Sequence, residues 1–375
     1  MVPSSREASQ PLLRPTRSAV EVAGLGTSRP PFVFPQSQAL ALGLALLKMT
    51  DRTRDLFTRV MSADGIEERH IGVDQVTDLL DTDHERKLAR FERWGVTLST
   101  EALQKALASA LVQPQELDFL AVTTCTGYLC PGLSAYVAET CDLRLDLRRV
   151  DLVGMGCGAA LPALEQSSQF LAAHPDGTAA VVSTEICSAA MLIGEAPDLV
   201  VSNAIFGDGS AAVVLKSAVP APDGATTPSA CRPRIVGFRS LLAPEWRDCL
   251  RFRTEGGHLR NVLSREVPGR AGEACSTVVH QLLEEHGLDM HHVDHWVVHA
   301  GGKAVLDAVQ QALALPPDAL DSARRVLRWS GNMSSPTVLF VLQEEQQLRP
   351  PRRGERAVLT SFGAGFAAHA ALIEY

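Results

Sequence analysis

No apolar run in the sequence approaches the roughly 18 residues needed to span a bilayer. The best early stretch, Ala39 to Leu47, is short and follows a polar, proline-containing segment without the charged start of a secretory leader. Basic charge is in deficit: 35 Lys and Arg stand against 43 Asp and Glu, a formal net charge of -8. That balance argues against a nucleic-acid partner, whose phosphates demand basic surface, though it leaves room for a local patch facing one phosphorylated ligand. Cysteine is sparse as well. The eight cysteines include no CxxC pair and no Cys/His set of zinc spacing, and Cys125 and Cys130 have no second pair to meet. A disulfide scaffold and a structural zinc are therefore not expected, and the thiols read as reduced, in a cytoplasmic protein. There is no phosphate loop and no dinucleotide fingerprint, so no metal or redox cofactor is expected.

What is present is apolar material: 46% of 375 residues are hydrophobic, enough for a large core in two domains or one duplicated one. Helical and strand-like segments alternate, which argues α/β. Glu101 to Leu111 has helical apolar spacing. Leu117 to Val122, Ala179 to Val182 and Ala211 to Leu215 read as short buried strands. Residues 1–35 read as a poorly ordered arm, 36–217 as a first half, and 234–375 as a second. Between the halves, Ala218 to Arg234 is rich in Pro, Ala, Ser and Thr, as a linker would be.

Three signals recur in order. Asp118 and Asp294 each open an apolar run into a polar loop. Cys157 and Asn332 each follow glycine and open a helical segment. Phe206-Gly-Asp-Gly and Phe362-Gly-Ala-Gly each lead into an apolar strand. The offsets are 176, 175 and 156 residues (294 − 118, 332 − 157, 362 − 206). Ordered matches of this kind imply internal duplication. Two related α/β halves would bring equivalent loops to a shared site.

The chemistry-bearing residues sit on those loops. Cys157, in Gly154-Met-Gly-Cys-Gly-Ala-Ala, lies at a helix start, where the dipole and free N–H groups favour a thiolate of lowered pKa. The same pattern alone would also suit a small buried residue at a crowded turn. His299 ends the run Trp296-Val-Val and precedes Ala300-Gly-Gly; strand ends are where open sheets carry their chemistry. His291, His292 and His295 lack that glycine context. Asn332, in Ser330-Gly-Asn-Met-Ser-Ser, is either a helix cap or a hydrogen-bond donor. Taken together they outline a condensing mechanism. A Cys157 thiolate paired with a His299 imidazolium takes an acyl group from a thioester. His299 and Asn332 then stabilise the enolate formed when a malonyl thioester loses carbon dioxide.

These residues resemble the type III polyketide synthases, the chalcone and stilbene synthase superfamily, from about Phe57 to Tyr375. The resemblance rests on Gly156-Cys157, Phe206-Gly-Asp-Gly-Ser-Ala-Ala, His299-Ala-Gly-Gly, Gly331-Asn-Met-Ser-Ser and Phe362-Gly-Ala-Gly-Phe. It implies a five-layer αβαβα thiolase fold of two duplicated halves, a homodimer, and acyl-CoA starter and malonyl-CoA as substrates. It also implies Cys157 as nucleophile, His299 and Asn332 as the decarboxylation pair, and Phe206 as a gate between CoA tunnel and cavity. Ser334 and Glu185 would lie near the cysteine. Cys125, Thr126, Cys187 and Ala190 would line the pocket. Gly301, Gly302 and Lys303 would meet CoA, with Arg52, Arg54, Arg59 and Arg69 as further cations.

The departures from plant members look bacterial. Cys125 and Ala190 stand where threonines are usual, and Asn261 falls near the place of a second gate phenylalanine. Ala300 and Ala364 replace prolines. The smaller residues suit a differently shaped pocket, compatible with a fatty acyl starter. Pyrone and resorcinol-type products are both compatible with this reading. The rival expectation is a β-ketoacyl-carrier-protein synthase III-like enzyme of the same fold.

Overall fold

The computed structural model describes residues 20–218 and 232–375. Its first half contains β1 (Val20–Ser28), β2 (Val33–Pro35), α1 (Gln36–Leu46), α2 (Asp51–Met61), β3 (Glu68–His70), α3 (His84–Ala110) and β4 (Phe119–Thr124). It continues with α4 (Leu133–Thr140), β5 (Arg148–Val153), α5 (Ala160–Ala173), β6 (Thr178–Ile186), α6 (Cys187–Ala190), α7 (Pro197–Ile205) and β7 (Asp208–Ser217). The second half contains β8 (Arg234–Leu242), β9 (Leu250–Glu255), β10 (His258–Leu263), α8 (Val267–Glu285) and β11 (His295–Val298). It ends with α9 (Lys303–Ala312), α10 (Asp321–Ser330), α11 (Thr337–Leu348), β12 (Arg356–Gly363) and β13 (Ala367–Glu374).

Nine strands form one sheet in the order β11-β12-β13-β8-β1-β7-β6-β4-β5. The duplication is visible in the pairing. β7 runs antiparallel to β1 and β6, and β6 parallel to β4. In the other half β13 runs antiparallel to β8 and β12, and β12 parallel to β11. The halves join through a two-residue pairing, Val20 with Ile235 and Glu21 with Arg234. Helix α3 covers the outside of β1, β6 and β7, while α8 covers β8, β12 and β13. Between the halves lie α5, which touches β6 and β13, and α11, which touches β11 and β7. Burial of both faces explains the unbroken burial along β6. The result is the five-layer αβαβα arrangement that the resemblance implied.

The expected arm is corrected in part. Residues 1–19 lie outside the described residues, but Val20–Ser28 is β1, at the middle of the sheet, and the first half begins there and not at residue 36. Its glycines let α3 approach the strand. A Cβ at Gly24 would lie 2.2 Å from Ala106 O, and one at Gly26 would lie 2.4 Å from Ala102 O. Most of the expected linker also falls outside the described residues.

The repeat carries three insertions. Residues 29–83 enter between β1 and α3, the β9–β10 hairpin between β8 and α8, and α6–α7 between β6 and β7. The last replaces the short turn that joins β12 to β13, which is why the third sequence offset is smaller than the other two. All three insertions face one cavity.

Candidate active site

The cavity, of about 190 Å³, has Cys125, Thr126, Cys157, Cys187, Ala190, Phe206, Asn261 and Ser334 in its lining. These include most of the residues the sequence placed in the pocket. Cys157 sits in a 3₁₀ turn, Gly156–Gly158, that feeds α5. Gly156 has φ +61°, a left-handed backbone that a residue with a side chain rarely adopts. The thiol is 8% exposed. Burial, with lesser help from the Glu185 charge, pushes it up to about 12, against a hydrogen bond from Ser334 that favours the thiolate. Desolvation at this depth acts against the lowering expected from the helix start.

His299 follows β11 and is fully buried. Neither ring nitrogen has a hydrogen-bond partner, and burial pulls the imidazole down to about 3. Burial thus works against the charged form of both partners. The ring meets Phe362 edge-on, with centroids 5.3 Å apart. Phe362 leads into Gly363, where a Cβ would lie 2.6 Å from Gly158 N. The strand end carrying Phe362 thus touches both the imidazole and the cysteine turn. Gly301 lies against both rings: a Cβ there would be 3.0 Å from Phe362 Cζ and 3.4 Å from His299 Nε2.

Asn332 joins the cluster through Gly301 and Ser334. Its Nδ2 donates to Gly301 O at 3.1 Å and its Oδ1 accepts from Ser334 N at 2.8 Å. An amide nitrogen has two donor hydrogens, so one remains after Gly301 is served. Its main chain bridges that of Phe206. His299 and Asn332 do not line the cavity wall, whereas Cys157, Phe206 and Ser334 do.

Ser334 has φ +60°, unusual for a residue with a Cβ. Its Oγ hydrogen-bonds the Cys157 thiol and lies 3.5 Å from Cys125 Sγ. Beneath them Glu185 is fully buried and off the wall. It accepts from Cys125 N (2.9 Å), Thr126 N (3.1 Å), Thr126 Oγ1 (2.8 Å) and Ser335 Oγ (2.7 Å). Burial still raises its pKa. Ser335 was not foreseen; its pairing with an acidic residue 150 positions away leaves no local trace in the sequence. Cys125 and Cys187 are raised well above the ordinary thiol range, by burial first and then by nearby carboxylates.

The expected CoA-contacting residues divide. Lys303 is exposed at the start of α9, 3.0 Å from Asp307, and neither it nor Gly301 and Gly302 line the cavity. Arg52, Arg54 and Arg59 are exposed on α2. Arg69 is 4% exposed and donates to Gln36 Oε1, Asn203 O and Phe206 O, so it supports the wall instead of meeting solvent phosphates. The sequence reading also missed α1 as a cavity wall. Ala39, Leu42, Gly43 and Leu46 recur at helical spacing along its inner side, a signal that was available. Among the described residues no helix is long and apolar enough to cross a membrane.

Comparison with known proteins agrees with this geometry. Residues 34–226 match the FAE1/Type III polyketide synthase-like protein family, and residues 242–374 match the chalcone and stilbene synthases, C-terminal domain. The chain is 33% identical over 373 residues to the 3,5-dihydroxyphenylacetyl-CoA synthase of Streptomyces toyocaensis, covering 96% of this chain and 91% of that protein. It is 32% identical over 356 residues to the 1,3,6,8-tetrahydroxynaphthalene synthase of Streptomyces peucetius subsp. caesius, with 94% and 93% covered. The crystal structure of 1,3,6,8-tetrahydroxynaphthalene synthase from Streptomyces coelicolor superposes with a TM-score of 0.84 at 24% identity, covering 96% of this chain and 99% of that one. These relatives favour the polyketide reading over the carrier-protein synthase. With both family regions matched in order and the relatives aligned over nearly their full length, the chain belongs to the type III polyketide synthases and is an acyl-condensing enzyme of thiolase-like fold.

Proposed function

We propose that Cys157 carries the growing chain and that His299 and Asn332 serve first its loading and then decarboxylation. The observation that carries this is the joining of the two halves at one point. Cys157 stands on the cavity wall, and the Phe362–Gly363 strand end links its turn to His299.

A neutral thiol must lose its proton as it attacks, and a neutral imidazole is able to take it. In loading, Cys157 Sγ attacks the starter thioester while its proton passes to His299. The carbon–sulfur bond to CoA breaks, and CoA leaves as the thiol with that proton. In extension, malonyl-CoA loses carbon dioxide. The enolate oxygen is held by the His299 N–H and the remaining Asn332 N–H. The enolate carbon attacks the Cys157 thioester, a carbon–carbon bond forms, and the sulfur leaves as thiolate; that thiolate attacks the new CoA thioester to take the chain back, and the CoA thiolate released takes a proton from solvent. Each extension therefore takes up one proton from solvent and needs no oxidant or reductant.

Phe206 would orient the malonyl group, and Ser334 would hold the sulfur. Cys125, Thr126, Cys187 and Ala190 would shape the pocket around the chain, above the structural carboxylate of Glu185. CoA phosphates would meet Lys303, Arg52, Arg54 and Arg59, with Gly301 and Gly302 permitting close approach. The loop after α2 reaches Lys303: a Cβ at Gly65 would lie 3.4 Å from Lys303 Cβ. The enzyme would act as a homodimer in the cytoplasm and release a pyrone or resorcinol-type phenolic. Purified enzyme given an acyl-CoA and labelled malonyl-CoA should yield such a product by mass analysis. Activity only with malonyl-carrier protein, or release of the free starter acid alone, would contradict it.

A further inference from the structure

Resting on the proposed roles of Phe206 and Asn332, we infer that Arg69 is a positioning residue: its buried guanidinium holds the gate phenylalanine and the Asn332 amide in register for the extension step. Nη1 donates to Asn203 O at 2.7 Å and to Phe206 O at 3.0 Å, and Nε donates to Gln36 Oε1 at 3.1 Å. A helix leaves its last carbonyls without partners of its own. At the end of α7 four consecutive oxygens, from Asn203 to Phe206, are each met from outside. Arg69 takes the first and the last, Gln36 Nε2 takes Ala204 O at 2.9 Å, and Asn332 N takes Ile205 O at 2.8 Å. The guanidinium thus stands at the negative end of α7, where a cation is favoured. Burial pulls its pKa down to about 10, with the Asp208 charge opposing the shift, so it stays a cation at neutral pH.

Phe206 is where this cap meets the bridge between the halves. Its carbonyl accepts from Arg69, and its main chain pairs with that of Asn332. The stem of Arg69 supports the other side of the bridge. Gly331, just before Asn332, has φ +67°, and a Cβ there would lie 2.9 Å from Arg69 Cγ and 3.1 Å from Cδ. One side chain therefore braces both residues assigned to the malonyl group, by a hydrogen bond at Phe206 and by packing at Gly331. It also ties two of the insertions, residues 29–83 and α6–α7, to the seam. Its hydrogen bonds bypass the Gly156–Gly158 turn, where Gly158 packs against the Phe362–Gly363 strand end. A cap that only stabilised the fold would lower loading and extension alike. A positioning role falls on extension.

The test compares the two steps in Arg69→Met and Arg69→Lys. Methionine keeps a stem against Gly331 and removes every donor, whereas lysine keeps the charge and loses the planar fork. Loading is read as acyl adduct against time by intact mass. Extension is read as kcat and KM for labelled malonyl-CoA on the pre-acylated enzyme. Arg69→Met should load within about threefold of the wild type but show an extension kcat lowered by about 10–10², the scale of a misplaced reacting group. Its malonyl-CoA KM should stay close to the wild-type value, and Arg69→Lys should recover part of the lost kcat. Equal falls in loading and extension, or a wild-type extension rate, would overturn the role. If Arg69→Met does not fold, the same comparison in Arg69→Lys and in Gln36→Leu decides. The latter removes the Nε acceptor and the Ala204 donor, and it should slow extension without slowing loading.

Asn332→Ala in the same assay separates this inference from the reading beneath it. Wild-type extension by Asn332→Ala would remove the amide from the mechanism, and a selective loss in Arg69→Met would then trace the effect to Phe206. A loss in Asn332→Ala with none in Arg69→Met overturns the arginine alone.

Discussion

The main chains of Phe206 and Asn332 form a bridge between the two halves. Asn332 N donates to Ile205 O at 2.8 Å, and Gly207 N donates to Asn332 O at 3.0 Å. The phenylalanine on the cavity wall and the amide beside Gly301 are thereby fixed in one register. The fold holds the site at the seam of a duplicated scaffold, and the insertions supply the cavity around it.

Asn332→Ala should lower malonyl-CoA decarboxylation by about 10²–10³, the cost of one lost oxyanion donor. Decarboxylation is followed by carbon dioxide release without added starter. A wild-type rate would remove the amide from the mechanism.

Because burial pushes Cys157 up to about 12 and His299 down to about 3, the free enzyme should be alkylated slowly by iodoacetamide at neutral pH. The rate should keep climbing as pH rises toward 10. A plateau reached below pH 7 would mean that the resting pair is ionised.

The Glu185 carboxylate is the acceptor for the main-chain N–H groups of Cys125 and Thr126, so Glu185→Leu leaves both without a partner. The variant should lose about 1–3 kcal/mol of stability, the usual cost of an unsatisfied buried polar group. Denaturant titration reads the loss, and an unchanged midpoint would contradict the role given to this carboxylate.

His295 lies between Glu345 Oε1 and Glu355 Oε2, each 3.0 Å from a ring nitrogen, and these bonds raise its pKa against a smaller opposing effect of burial. A raised folded value contributes stability that is complete below the unfolded value of about 6.5 and fades as pH climbs through the folded one. Wild-type stability should therefore decline across that interval, and the His295→Gln variant should show a flatter profile. Parallel pH profiles for the two proteins would contradict the assignment.

The elements that could be read ahead were those where local pattern and tertiary role agree. Apolar runs gave β4, β6 and β7, and the glycine-flanked Cys157, His299 and Asn332 marked the joining loops. β1 escaped because Gly24 and Gly26 look like loop residues, while their function is to admit the α3 backbone. Arg69 looked like a surface cation because nothing local reveals that Gln36, Asn203 O and Phe206 O will surround it. The burial of the Cys157 thiol was hidden for the same reason. A helix start is legible in sequence, whereas the depth at which the fold buries it is not.

The most direct test is the fate of the acyl group in Cys157→Ala. Intact-mass analysis after incubation with starter acyl-CoA should show one acyl adduct on the wild type and none on the variant. With labelled malonyl-CoA the variant should release carbon dioxide but form no extended product. An acyl adduct on the variant, or extended product at the wild-type rate, would contradict the claim that this sulfur carries the chain.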